Sequence, residues 1–383
     1  MIKNIHLHQE STMAAVMYAI LATAGLFYVN LGGAFLSAFV DGLGVSRAEA
    51  GLIVSANKYG AAFGALIATF LVRSVPWRSS AAGLLILMMA IDGISSQITS
   101  PDNLIFVRFL HGTIGGISVG IGLSVIARTV QPDKIFGMLL VVQYSFGSLG
   151  IFTVPRLVES FGHMAVFGVL SLFSLMTLLI LPFIPDVKKA QSDNNPFKLN
   201  ISFLLILALL ALFLFQSSNM GVADYAFELG KDIGLVNNEI SNLLTIANII
   251  SISGGILVYV IGTKYGRTVP LCIGFLVSAI FTYLLHYSEN ITIYFIANTV
   301  TGIAWAFVIP YVLGLCASFD KHGQMAALAG FISKVGLATG PLVGSLVILD
   351  YGFDLILNLA TIALIIAAAI IGYSSAKQER ATT

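Results

Sequence analysis

Apolar runs of about 20 residues follow one another along the whole chain with hardly a break, and this feature leaves few folds open. A helix rising 1.5 Å per residue crosses the ~30 Å hydrocarbon core of a bilayer in about 20 residues. About twelve such stretches can be laid down, at roughly 13–40, 48–72, 80–98, 104–127, 136–158, 164–184, 201–229, 239–262, 270–287, 292–316, 324–348 and 354–374. Charged residues are 10% of the chain and hydrophobic residues 57%, against about 25% charged in a soluble domain. There is too little polar surface to face water, so lipid is the expected solvent. Strands that alternate apolar and polar residues, the mark of an outer-membrane barrel, are absent from the pattern. The expected fold class is an all-α integral membrane protein with about twelve transmembrane helices in two six-helix, pseudo-symmetric bundles. The first run exceeds the core of about 7–15 residues that a signal peptide carries, and reads as a retained span.

Charge is scarce but placed. The stretch from Pro185 to Pro196 is polar and flanked by proline, as expected of a linker. It divides the chain into an N-terminal bundle (1–185), a linker (186–200) and a C-terminal bundle (201–383). Putting both termini and the linker on one side gathers Lys3, Arg73, Arg78, Arg128, Lys134, Lys188, Lys189, Lys198, Lys264, Arg267, Lys321, Lys377 and Arg380 there, leaving Arg47, Arg156 and Lys231 opposite. By the positive-inside rule that side is cytoplasmic. The expectation is a multi-pass protein of a bacterial cytoplasmic (inner) membrane with both termini inside. A net charge of +1 gives no reason to expect nucleic acid as a partner. Cys272 and Cys316 lie inside apolar runs, which speaks against a disulfide framework or a metal centre. No Walker loop, Ser-His-Asp set or paired carboxylates stand out, and His6 and His8 sit in a polar tail. Neither enzymatic chemistry nor a cofactor or bound metal is expected.

The two halves match each other in register. Glu49 and Gly64 correspond to Glu239 and Gly254, and Gly112 to Gly302. Asp133-Lys134 followed by Met138 corresponds to Asp320-Lys321 followed by Met325. Parallel six-helix repeats of this kind are a transporter architecture.

Three local patterns carry a family resemblance. The fourth span reads Arg108-Phe109-Leu110-His111-Gly112-Thr113-Ile114-Gly115-Gly116. The loop after the eighth reads Thr263-Lys264-Tyr265-Gly266-Arg267, and the eleventh span reads Gly336-Leu337-Ala338-Thr339-Gly340-Pro341-Leu342-Val343-Gly344. Across nearly its whole length the chain resembles the major facilitator superfamily. The first pattern is similar to the Arg-then-Gly sequence of that family's fourth helix. The second, with Lys264, Gly266 and Arg267, is similar to its basic cytoplasmic loop, although Thr263 stands where the family has an acid. The third is similar to a Gly-Pro motif that its drug antiporters carry in the fifth span, not the eleventh. The resemblance implies a secondary active transporter working by alternating access, with its site near the midplane.

Charges inside spans are the sharpest clues, because each costs about 2.5–3.5 kcal/mol or more at mid-bilayer. Lys58, Asp92, Arg108 and Lys334 lie within spans, with Asp224 and Glu228 nearer an end. Lys58 and Lys334 each fall about ten residues into a span, roughly 15 Å deep, and the resemblance implies that their helices are neighbours. Two cations at one depth are tolerable if an anion bridges them or if one gives up its proton. Alternatively, Asp92 pairs with Lys58 and the lysines snorkel. Facing the cavity, Arg108 is expected to pair with Asp92, Asp224 or a substrate carboxylate; the resemblance implies a part in proton transfer, and the alternative is a structural ion pair. Asn30, Asn57, Tyr59, Gln143, Tyr144, Asn219, Asn248, Asn298, Trp305 and Tyr311 supply the polar and aromatic lining that a small-molecule site needs. Asn298 is the repeat-mate of Arg108, and Asn248 that of Lys58. Gly112, Gly116 and Gly120, like Gly336, Gly340 and Gly344 around Pro341, recur at four-residue spacing on one helix face, where small residues let backbones approach or slide. The expected partners are a small solute (an organic anion or zwitterion), protons and lipid, acting on a monomer. The alternatives are an exporter of amphipathic drugs relying on Asp92 or Asp224, or a receptor, scaffold or channel.

Overall fold

The protein is represented by a computed structural model that describes residues 11–72, 75–129, 132–187, 202–262, 264–319 and 324–382. The termini, Arg73, Thr263, Asp320-Lys321 and nearly all of the expected linker lie outside the described residues. These fall into two compact units, one within Met1–Val45 and Ala56–Asn194, the other within Ser46–Ser55 and Asn195–Thr383.

The first unit is built from α1 (Thr12–Thr23), α2 (Gly32–Leu43), the larger part of α3 (Arg47–Leu71), α4 (Trp77–Ser95), α5 (Pro101–Ala127), α6 (Pro132–Phe161) and α7 (Met164–Ile180). The second takes the start of α3 with α8 (Phe203–Ala223), α9 (Ala226–Asp232), α10 (Asn237–Ile261), α11 (Thr268–Leu284), α12 (Ile291–Ala317) and α13 (Gln324–Thr382).

Ten helices are long and apolar enough to cross a membrane, and the bent pair α1–α2 makes a further broken span. The last of the ten runs for 53 residues, Leu328–Arg380, which is enough for two crossings. It kinks at Gly352, whose φ of 64° and ψ of −161° no residue with a Cβ adopts readily. Split there into arms 324–351 and 353–382, it brings the crossings to twelve among the described residues. The protein is therefore a multi-pass integral membrane protein of all-α class.

One expectation is corrected. The apolar run 13–40 is not one continuous helix: α1 meets at 74° the segment Phe27–Leu43, which opens with a 3-10 turn, Phe27–Leu31, and runs on into α2. Gly25 sits at the break against the carbonyl of Gly115, where a Cβ would collide.

The repeat is written into the element bounds. α3 (Arg47–Leu71) and α10 (Asn237–Ile261) have the same length, as do α5 (Pro101–Ala127) and α12 (Ile291–Ala317), and one shift in register carries both pairs end to end. The matched acids have a local explanation. Glu49 accepts from the Ser46 backbone N–H (2.8 Å) while Ser46 Oγ accepts from that of Glu49 (3.2 Å), a capping box that opens α3. Glu239 repeats half of it, accepting from the Val236 N–H (3.1 Å) at the start of α10.

In the first unit α1 packs on α5 and α6, and α4 on α5 and α7. Tyr18, Leu21, Leu31, Leu36, Phe167 and Val125 are buried there. In the second, α8 and α13 form the longest seam and α11 lies against α12 and α13, around Leu212, Phe215, Phe275, Val308, Leu315 and Leu364. Phe70, Phe106, Leu172, Ile256 and Leu346 point outward, as a protein solvated by lipid requires. Within the second unit the first turn of α3 is tied by charge. Arg47 pairs with Glu228 (2.9 Å) and with Asp232, and Lys231 also holds Glu228 (2.6 Å).

Candidate functional site

The first unit buries a charged cluster where α3, α4 and α5 meet. Small residues permit the approach. A Cβ at Gly112 would fall on the Asn57 carbonyl and one at Gly116 on that of Ala61, while Gly120 rests on Ala68. With α5 held this close to α3, Arg108 and His111, one turn apart on α5, meet Asp92 from α4 and Asn57 from α3. Arg108 Nη1 donates to Asp92 Oδ1 at 2.6 Å. Arg108 Nη2 lies 3.0 Å from His111 Nδ1, and Asn57 Nδ2 lies 3.2 Å from the same nitrogen. His111 Nε2 is 3.3 Å from Asp92 Oδ1. Phe167 of α7 covers the guanidinium, its ring centroid 5.4 Å from Cζ. All four polar residues are at most 3% exposed. Of the expected pairings for Asp92, the structure shows the one with Arg108. Lys58, next to Asn57, is also buried and has partners of its own.

The geometry fixes the histidine's proton. A guanidinium only donates, so the nitrogen facing Arg108 must present a lone pair. Nδ1 is therefore the acceptor and Nε2 carries the hydrogen, on the side of Asp92. In this state the imidazole is neutral. Three atoms in the cluster, Asn57 Oδ1, Asp92 Oδ2 and His111 Nε2, are buried without a hydrogen bond, the last in ion-pair range of Asp92 only.

The second unit has a neutral polar strip. Gln216 of α8 accepts from Trp305 Nε1 (2.7 Å) and donates to Ser333 Oγ (2.6 Å), linking α8, α12 and α13. One helical turn on, Asn219 Oδ1 accepts from Ser278 of α11 (2.9 Å). Lys334 follows Ser333. It is partly exposed, and it makes no hydrogen bond or ion pair with another described residue.

The remaining sequence-chosen residues scatter more. Asn30 donates to the Gln143 carbonyl (3.1 Å) beside α6. Tyr59, Tyr144 and Asn248 are half-buried and engaged. Tyr311 donates to the Gly262 carbonyl (2.7 Å). Asn298 turns back onto the Tyr294 carbonyl of its own helix (2.8 Å). Asp224 is buried. Gly336 packs on Phe213 and Gln216, Gly340 on Ser217 and Gly221, and Gly344 on the Tyr225 ring. Pro341 lies inside α13 without ending it. In the loop motif, Lys264 is exposed and Gly266 turns at a φ of +69°. The backbone N–H groups of Arg267 and Thr268 donate to Glu379, the latter at 3.2 Å. Sequence reasoning missed His111 as a site residue, as it did Gln216 and the pairing of Arg47 with Glu228. Gln216 had a signal, since it ends the unbroken apolar run Phe203–Phe215.

The fold that holds these groups is the major facilitator fold. The nucleoside transporter NupG, in a mutant form, superposes with a TM-score of 0.77 at 12% identity, over 94% of this chain and 99% of that one. A D-xylose–proton symporter superposes with a TM-score of 0.70 at 17% identity, over 94% and 96% of the two chains. No family model matches the sequence, and no curated protein sequence matches it significantly.

Proposed function

We propose that this protein is a proton-coupled secondary active transporter that moves a small organic anion or zwitterion across a bacterial cytoplasmic membrane by alternating access. The observation that carries the substrate class is Lys334, a partly exposed cation in a membrane span with no partner among the described residues. An unpaired ammonium in a span costs free energy, and a bound carboxylate or phosphate offsets that. Trp305, Asn248 and Asn298 are assigned to the same lining, with Lys58, Arg108, Asn57, Tyr59, Asn30 and Tyr144 lining the path in the first unit. Asp92, Asp224 and Arg108 are assigned to ion pairing around the proton. The parts 1–185 and 201–383 act as the two moving bundles, joined by 186–200, with both termini cytoplasmic. Transport is supported by the fold shared with a nucleoside transporter and a D-xylose–proton symporter, and fold alone does not choose the solute.

The test is thermal stability of the purified protein against organic anions, zwitterions, neutral sugars and nucleosides, and lipophilic cations, with Lys334→Gln in parallel. A ligand that binds only the folded state stabilises it by about 2.7 kcal/mol at a hundredfold excess over Kd. Stabilisation by an anion, lost in Lys334→Gln, is expected. Stabilisation by neutral sugars or nucleosides alone, equal in both proteins, would replace the anion with a neutral polar solute. A response to lipophilic cations alone would favour an exporter.

A further inference from the structure

We infer that His111 is the residue on which the coupled proton is carried, entering at Nδ1 as the Asn57 amide turns its oxygen inward. The coupling role rests on the transport reading above; the proton site itself stands on the geometry of the cluster. His111 is 1% exposed and is faced by polar and charged groups from three helices. Asp92 comes from α4, Asn57 from α3 with Lys58 next in the chain, Arg108 from its own helix, and Phe167 of α7 lies over Arg108.

In the state seen, the ring is neutral, with two donors converging on Nδ1. A proton arriving there cannot coexist with Arg108 Nη2 at 3.0 Å, because both groups would then donate. The arrangement contains the alternative. Asn57 Oδ1 is buried and accepts nothing, so a half-turn of the amide exchanges Nδ2 for an acceptor at the same nitrogen. Arg108 keeps Asp92 through Nη1 at 2.6 Å and withdraws Nη2. Asp92 Oδ2, also without a hydrogen bond, receives what is freed. One proton is gained, no covalent bond other than Nδ1–H forms, and the cluster's charge rises by one. The new cation is stabilised by Asp92 at Nε2 and by Asn57 at Nδ1. Release of one edge of Arg108 is what connects protonation to the rest of the site.

The experiment uses the full chain in lipid nanodiscs, 15N-labelled at histidine, with the His111 signals identified by their loss in His111→Gln. At high pH the expected result is an Nε2–H tautomer, and on acidification both nitrogens become protonated while the protein is still folded. Asn57→Leu removes the acceptor for Nδ1–H and lowers the midpoint by about one pH unit or more. A ring that stays neutral until the protein unfolds, or an Nδ1–H tautomer at high pH, overturns the proton site. In proteoliposomes, His111→Gln is expected to lose accumulation driven by a pH gradient, while solute exchange, which moves no net proton, survives in part. Gradient-driven accumulation as in the wild type overturns the coupling role. A wild-type protein that exchanges no member of the solute panel overturns the transport reading and the coupling with it, while the ring titration separately decides the proton site.

Discussion

The two units share a helical plan, repeated in register, yet they fill equivalent places with opposite chemistry. Where α4 and α5 bury Asp92, Arg108 and His111, the matching positions of the second unit hold Thr282, Asn298 and Thr301. Lys58 of α3 becomes Asn248 of α10. The first unit is thus organised by charge that is paired and shut away from solvent. The second is organised by neutral hydrogen bonds around Gln216 and Asn219, with its span-embedded cation, Lys334, left unpaired among the described residues. A duplicated scaffold lets one copy hold paired, buried charge while the other carries a cation in a span that pairs with no described residue. The contrast can be broken by mutation, because paired buried charge and neutral polar lining respond to loss of a partner with different magnitudes and signs.

The largest difference is expected at the matched positions 92 and 282. Asp92→Asn leaves the Arg108 guanidinium buried without its counter-ion, which destabilises by about 3–5 kcal/mol. Thr282 Oγ1 is buried with no hydrogen bond, so Thr282→Val removes an unsatisfied group at nearly constant shape and is neutral or mildly stabilising. Thermal unfolding of both variants in one detergent checks this. Equal losses would mean that the charged cluster contributes no more than its neutral counterpart.

Next come the paired glycines. Alanine at Gly112 drives a methyl onto the Asn57 carbonyl, a backbone atom that cannot step aside, whereas alanine at Gly302 meets the Ser251 hydroxyl, which can turn. Gly112→Ala is expected to cost about 1–3 kcal/mol by overpacking, and Gly302→Ala less than about 1 kcal/mol. The unfolding midpoints of the two single variants decide it, and a reversed order would place the tighter helix contact in the second unit.

A smaller loss falls on the neutral strip. Gln216→Leu strands the indole N–H of Trp305 and the hydroxyl of Ser333, at about 1–3 kcal/mol for each group that stays dry. Partial exposure of both residues keeps the sum near the lower value, since water can replace a lost partner. Tryptophan fluorescence in a Trp77→Phe background reports the change, and an unshifted emission would show that the indole hydrogen bond is replaced at once.

Much of this was legible before any coordinates. Span number, the duplicated plan and the membrane class follow from apolar runs and matched residues, because a bilayer imposes one length and one polarity on everything that crosses it. Glu49 and Glu239 announced the repeat for a local reason, each closing the first turn of its helix. The break between α1 and α2 was hidden, since residues 13–40 are apolar nearly throughout and only contact with Gly115 shows why Gly25 sits there. The charged cluster was half visible. Arg108 and Asp92 drew attention as charges in spans, but His111 counts as neutral in such a tally, and its place in the cluster emerges only when two donors are seen to converge on one nitrogen. Gln216 and Asn298 show the converse. Both are amides in apolar helices, yet one links three helices and the other only caps its own turn, a difference set by helix rotation that residue type does not encode.

The smallest expected effect gives the sharpest sign. Lys58 is 2% exposed and has partners, whereas Lys334 is partly exposed and has none among the described residues. Replacing each by methionine keeps much of the length of the side chain and removes the charge. Lys58→Met breaks a satisfied buried site and destabilises. Lys334→Met relieves an ammonium of an unfavourable place. Because the side chain is partly exposed, the gain is expected to be only about 1 kcal/mol, below the ~2.5–3.5 kcal/mol of a fully lipid-embedded charge. Thermal unfolding without solute reads the sign directly. A rise for Lys334→Met together with lost stabilisation by organic anions identifies a group kept for binding at the expense of stability. A fall for Lys334→Met would instead make it a structural lysine like Lys58, and the difference between the two units would then lie in polarity alone.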